Sequence, residues 1–266
     1  MAHEIVDGRI RTRSLEVHIV DHCNLRCDGC CSMSPFLPEW YIDPEDLRRD
    51  LASARRCLAP TWFKLVGGEP LLHPELIPCL KIARDSHISE IVSVTTNGIL
   101  LDRMPDELWM FADAMTISLY PKPTLPRTTV ELVNAKSMHY GVHVNWKRQD
   151  MFVEMDRDVP IDDPRVTRSA WSECWLRHRC HMLSKGRFYA CTRPAHFQTY
   201  YGGGIDFSHD GVPLHDGSEL VREIHEYLIR DTPLDACSWC RGGDADLKPH
   251  RQLTLQEVEN TLRATT

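Results

Sequence analysis

The chain has 266 residues, of which 42% are hydrophobic and 26% charged, with a formal net charge of -7. That length suits one large α/β domain, or a core with a small appendage, and the acidic balance argues against a nucleic-acid partner, because phosphate binding calls for a basic excess. No apolar run approaches the roughly 18 residues of a membrane span, and residues 1–8 lack the basic start and apolar stretch of a secretory signal, so a cytoplasmic chain with no membrane partner is expected.

Strand-like and helix-like segments alternate through the first 155 residues. Leu15 to Val20 reads as a strand that ends at a cysteine-rich loop. Asp43 is placed to cap a helix from Pro44 through Cys57. Trp62 to Val66 reads as a strand running into Gly67-Gly68-Glu69-Pro70, and a helix starts at His73-Pro74 and continues through Arg84. Glu90 to Val94 forms a strand ending in Thr95-Thr96-Asn97-Gly98. A helix over about 103–110, a strand Ala114–Leu119, a helix Thr129–Tyr140 and a strand Val142–Trp146 follow, with Met151–Met155 as a sixth strand. This rhythm predicts parallel strands with helical crossovers, an α/β partial (β/α)6 TIM-like barrel whose motifs share the C-terminal rim. The Asp-, Pro- and Arg-rich text of 156–170 predicts a linker. Beyond it come a β-hairpin around Ser184-Lys185-Gly186, an amphipathic helix near 217–230 and a last helix near 253–264. The expected units are a core at 14–165, a small α+β domain at 166–250 and a closing helix at 251–266.

Eleven cysteines without a secretory signal read as metal ligands or free thiols. Cys31, Cys57 and Cys79 fit small buried apolar roles, and His18 and His22 fit packing. Cys23, Cys27 and Cys30 are spaced C-x3-C-x2-C. Three thiolates can hold three irons of a cubane [4Fe–4S] cluster and leave the fourth without a protein ligand, whereas clusters that only carry electrons normally take four cysteines. An open iron implies a bound small molecule, hence an enzyme. Structural zinc is the alternative, but it prefers paired C-x2-C knuckles and a fourth ligand.

Together, the three cysteines, the Gly-Gly-Glu-Pro segment, Thr95-Thr96-Asn97-Gly98 and Ser118 resemble the radical S-adenosylmethionine (radical SAM) superfamily over about residues 14–155. The resemblance implies that the open iron chelates S-adenosylmethionine, whose reductive cleavage yields a 5′-deoxyadenosyl radical. It implies that Gly67, Gly68, Glu69 and Pro70 meet the methionine ammonium, and that Asn97 and Ser118 contact the methionine or ribose end. One position departs from the family: Gly29 stands where a bulky residue usually precedes the third cysteine, leaving Phe36 or Leu37 as replacements.

The second cysteine group is Cys174-x5-Cys180-x10-Cys191, followed by Cys237-x2-Cys240. With Gly186-x4-Cys191, it resembles the twitch domain, the shorter relative of the SPASM domain. That implies one auxiliary [4Fe–4S] cluster, with Cys191, Cys237 and Cys240 as ligands and Cys174 and Cys180 competing for the fourth place. A four-thiolate zinc site remains open. The resemblance points to an oxidoreductase that removes two electrons from a carbinol of a carbohydrate or aminocyclitol. The alternatives are an epimerase of a sugar or peptide with a cysteine hydrogen donor, and a non-catalytic electron carrier. Lys147 and Arg148 are the candidate catalytic residues, with Asn145 and Tyr120 beside them and Arg193 and His196 beyond the hairpin. A flavodoxin- or ferredoxin-type reductant and a small-molecule substrate are the expected partners.

Overall fold

The computed structural model describes residues 3–201 and 204–265. A two-residue strand β1 (Ile5–Val6) folds back on β2 (Arg9–Val20). Along β2, Leu15, Val17 and Ile19 are fully buried against the helices. The pleat therefore turns Glu16 and His18 to the opposite face. Next come α1 (Pro44–Cys57), β3 (Leu58–Gly67), α2 (Leu76–Asp85), β4 (Val92–Thr96), α3 (Glu107–Phe111), β5 (Ala114–Leu119), α4 (Arg127–Tyr140) and β6 (His143–Arg148). Strands β2 to β6 are parallel neighbours in chain order. Helices supply every crossover, so all five strands end on one rim. Asp43 caps α1 as the sequence predicts, its carboxylate accepting from the Glu45 amide at 2.7 Å. Leu47, Leu51 and Ala54, spaced along one helical face, are fully buried.

The rest of the chain comprises β7 (Met151–Val153), α5 (Pro164–Glu173), β8 (His181–Ser184), β9 (Arg187–Tyr189), α6 (Arg193–Tyr201), β10 (Val212–Pro213), α7 (Leu220–Ile229), β11 (Leu247–Pro249) and α8 (Leu255–Thr265). The parallel-strand α/β architecture is as expected, but the sixth parallel strand lies elsewhere. Two residues separate β6 from β7, too few for a crossover. Strand β7 instead pairs antiparallel with β11 in a separate ribbon. The sixth parallel strand is β8, which lies beside β2 in the register Leu15↔His181 and Val17↔Leu183. Lys185 and Gly186 adopt φ of 48° and 73°, the paired left-handed turn that a two-residue hairpin needs, and they return the chain as β9.

The hairpin thus extends the core sheet, and Leu183, Phe188, Ile224 and Leu228 join Leu15, Phe63, Leu65 and Ile117 in one apolar core. A smaller core links Met33 and Leu37 to Phe197, Tyr201 and Phe207. The expected linker contains α5, capped by Asp163 through the Arg165 amide at 2.9 Å. This repeats the Asp-Pro start of α1, a signal present in the sequence. Residue 266 of the expected closing helix lies outside the described residues. Among the described residues, no helix is long and apolar enough to cross a membrane.

Candidate active site

Strand β2 delivers Asp21, His22 and Cys23 to the rim, and the end of β3 locks onto them. The Gly68 amide donates to Val20 O at 2.8 Å and the Glu69 amide to His22 O at 3.1 Å. A β-carbon at Gly67 or Gly68 would overlap the carbonyl oxygens of Val20 or His22. These glycines are therefore required by the backbone of the cysteine loop itself, a closer constraint than the cofactor approach read from sequence. Pro70 begins a short turn of 3-10 helix.

Glu69 is fully buried. Its carboxylate accepts from Thr96 Oγ1 at 2.6 Å, the Asn97 amide at 2.8 Å and the Leu71 amide at 3.0 Å. Burial pushes its carboxyl up to about 7 against these three donors. The side chain is thus a brace between two strand ends. Asn97, which it positions, donates from Nδ2 to Asn24 Oδ1 at 2.6 Å and lies 3.7 Å from Cys23 Sγ. Ser118, one residue before the end of β5, is buried.

The thiols of Cys23, Cys27 and Cys30 bear electrostatically on one another. Burial, followed by repulsion from Cys31 and then Cys27, pushes Cys30 up to about 12. Burial likewise pushes Cys27 up to about 11. Three neighbouring thiols outside any disulfide, Cys27 buried and Cys23 and Cys30 half-buried, fit a group whose positive charge holds them as thiolates. The surrounding donors fit it too: Gln252 Nε2 lies 3.2 Å and His250 Nε2 3.3 Å from Cys27 Sγ. Such outer contacts orient and tune metal-bound sulfur.

Sequence reasoning missed this C-terminal clamp altogether. The segment from Lys248 to Leu253 runs against the loop. The Asp28 amide donates to Arg251 O at 3.0 Å and the Leu253 amide to Arg26 O at 2.7 Å. The Asp28 carboxylate pairs with Lys248 at 2.8 Å and Arg251 at 2.9 Å. Gly29 has a φ of +74°, and a β-carbon there would sit 2.6 Å from Lys248 Cε, with Phe152 Cβ 3.7 Å away. The space of the missing bulky residue is thus filled from the β7–β11 ribbon. Phe36 and Leu37 instead belong to the smaller core. Tyr120 stacks on His250 with centroids 4.8 Å apart, Phe152 lies 5.3 Å from the same imidazole, and the three thiols bear on Tyr120.

In the second group, Cys237, Cys174 and Cys240 all bear on Cys191, and Cys174 also bears on Cys237 and Cys240. Cys180 is differently placed, facing Glu16, Cys31 and Lys64 besides Cys191. Of the two competitors, Cys174 interacts electrostatically with Cys191, Cys237 and Cys240, and Cys180 with Cys191. Glu16 and Lys64, neighbours on the face opposite the helices, pair at 3.1 Å. Cys57 and Cys79 are buried as expected, but Cys31 is exposed, because the loop turns it outward beside Thr192, whose hydroxyl donates to Cys31 O at 3.3 Å. His18 packs with His196, their ring nitrogens 3.1 Å apart, and His22 meets the edge of Tyr41. Asn145, Lys147 and Arg148 are exposed on edge strand β6. Arg148 pairs with Asp150 at 3.0 Å.

No protein-family model matches the chain. It is 33% identical over 101 residues to a GTP 3',8-cyclase of Microcystis aeruginosa, covering 36% of this chain and 30% of the relative. To a GTP 3',8-cyclase of Trichodesmium erythraeum it is 34% identical over 101 residues, with coverage of 36% and 30%. The chain thus spans about a third of the length of these curated relatives. Among solved structures it is similar to BtrN in complex with AdoMet and 2-DOIA. That match has a TM-score of 0.50 and 14% identity, and covers 87% of this chain and 88% of the other.

Proposed function

This chain belongs to the radical SAM superfamily, and on that premise we propose that it is an oxidoreductase that takes two electrons from a carbinol of a carbohydrate or aminocyclitol. Cys23, Cys27 and Cys30 would hold one [4Fe–4S] cluster, and Cys174, Cys191, Cys237 and Cys240 an auxiliary one. Gly67, Gly68, Glu69, Pro70, Asn97 and Ser118 would shape the S-adenosylmethionine site, with Glu69 and the glycines acting through the loop backbone. Bound there, these groups supply a 5′-deoxyadenosyl radical that removes a carbon-bound hydrogen, and an acceptor for the second electron. The half-buried Glu16 carboxylate, held by Lys64, would take the hydroxyl proton. A flavodoxin- or ferredoxin-type protein would be the reductant.

The observation that supports this reading is that Cys23, Cys27 and Cys30 interact electrostatically in one loop, and Cys191 with Cys174, Cys237 and Cys240 elsewhere in the chain. BtrN, alike in fold across most of its length, was crystallised with AdoMet. The likeness to GTP 3',8-cyclases covers 36% of this chain and supports a shared core, not a purine nucleotide substrate. A second reading, epimerisation, is favoured by Cys180. This thiol lies outside the four-thiol group and faces Glu16 and Lys64, where it could return a hydrogen atom to substrate carbon.

The direct test incubates anaerobically reconstituted, dithionite-reduced protein with S-adenosylmethionine. Formation of 5′-deoxyadenosine is expected, and its complete absence with clusters present leaves an electron carrier. About eight irons per chain are expected for two clusters; about four irons with zinc would overturn the auxiliary one. In deuterated water, a two-electron-oxidised product without solvent deuterium supports oxidation, whereas deuterium entering substrate carbon supports epimerisation.

A further inference from the structure

We infer that Arg193 sets the reduction potential of the auxiliary cluster, making it the electron's destination; this rests on the four-thiol reading above. Helix α6 begins two residues after Cys191, and its first residue, Arg193, is 3% exposed. One carboxylate faces the guanidinium, that of Asp156 at 2.7 Å. None of its three nitrogens has a partner in hydrogen-bonding geometry. The Phe197 ring covers another side, 5.7 Å away. A buried guanidinium carries five N–H donors, and leaving them unmatched is costly.

Asp156 forms an antiparallel backbone bridge with Cys240, so the residue that anchors Arg193 sits beside one of the four cysteines. Cys240, Cys31 and Cys191 all bear electrostatically on the guanidinium. With the four thiols ionised around a cluster, their sulfurs would add acceptors to the Asp156 carboxylate. A fixed cation and N–H···S contacts favour the more negative, reduced state of a cluster, and so raise its potential. Asp156 opposes this by neutralising part of the charge. The pair forms a setting with two opposed controls, whereas a merely structural ion pair would move no potential.

The test is a redox titration, followed by electron paramagnetic resonance, of reconstituted wild type, Arg193→Gln, Arg193→Lys and Asp156→Asn, with iron counted for each. The auxiliary potential is expected to fall in Arg193→Gln, to fall less in Arg193→Lys and to rise in Asp156→Asn, while that of the three-thiol cluster stays in place. Variants that hold about eight irons per chain with unchanged auxiliary potentials overturn the role of Arg193. Should Arg193→Gln lose iron from the second site, the shifts in Arg193→Lys and Asp156→Asn decide, and no shift in either rejects the inference. A wild type with about four irons and one cluster signal overturns the second cluster itself, and this inference with it.

Discussion

Cys27→Ala is expected to reduce 5′-deoxyadenosine formation to background and to remove about four irons per chain. Cys23→Ala and Cys30→Ala should do the same, because three thiolates are the fewest that can hold a cubane with one open iron. The informative contrast is the next residue. Cys31 is exposed, and Cys31→Ala should keep both iron and cleavage. The second group offers the same discrimination: Cys174→Ala should lose auxiliary iron, since Cys174 bears on Cys191, Cys237 and Cys240. Cys180→Ala should keep the iron while changing the fate of substrate under the epimerase reading. Cleavage surviving in Cys27→Ala at wild-type rate would refute the proposed site.

Glu69 carries the largest expected effect on the fold. Glu69→Ala strands the Thr96 hydroxyl and the Asn97 and Leu71 amides in a fully buried position. Unsatisfied buried donors cost about 1–3 kcal/mol each and do not add fully, so a loss of about 4 kcal/mol is expected. At this chain length that lowers Tm by roughly 10 °C in a melt of the apoprotein. The same residue has a pH signature. Its carboxyl rises from an ordinary 4.5 to about 7 in the fold. Between those values the unfolded chain has released this proton and the folded one still holds it. Its contribution to stability is therefore full below pH 4.5 and drains away as pH rises through 7. The loss approaches about 3 kcal/mol at 1.36 kcal/mol per pH unit. Glu69→Gln removes the titrating group, so denaturant melts from pH 4.5 to 8 should decline less steeply in the variant. Parallel slopes would show that Glu69 stays ionised throughout.

The local text was highly legible. Asp43 before Pro44 and the strand from Ala114 to Leu119 depend on neighbours a few residues apart, and the structure realises them, while the strand expected at Glu90–Val94 lies two residues on, at Val92–Thr96. Asp163 before Pro164 carried the same cap signal and was hidden by the charged, proline-rich text around it. The misplaced sixth strand had a physical warning of its own, since Gln149 and Asp150 are too short a connection for a parallel return. The resemblance sets Gly67 and Gly68 against the methionine ammonium, but what lies against them in the fold is the Val20 and His22 backbone.

Chain spacing by itself determined the three-thiol loop, the motifs at the strand ends and the parallel α/β architecture, because these follow from short-range periodicity and from the C-termini of parallel strands sharing one rim. Only the tertiary structure decided why Gly29 is tolerated, and that Gln252 and His250 reach Cys27 across 225 and 223 residues. Such contacts are set by how β2, the β7–β11 ribbon and α6 pack in space. No repeat of two or 3.6 residues records which distant side chains that packing will bring together.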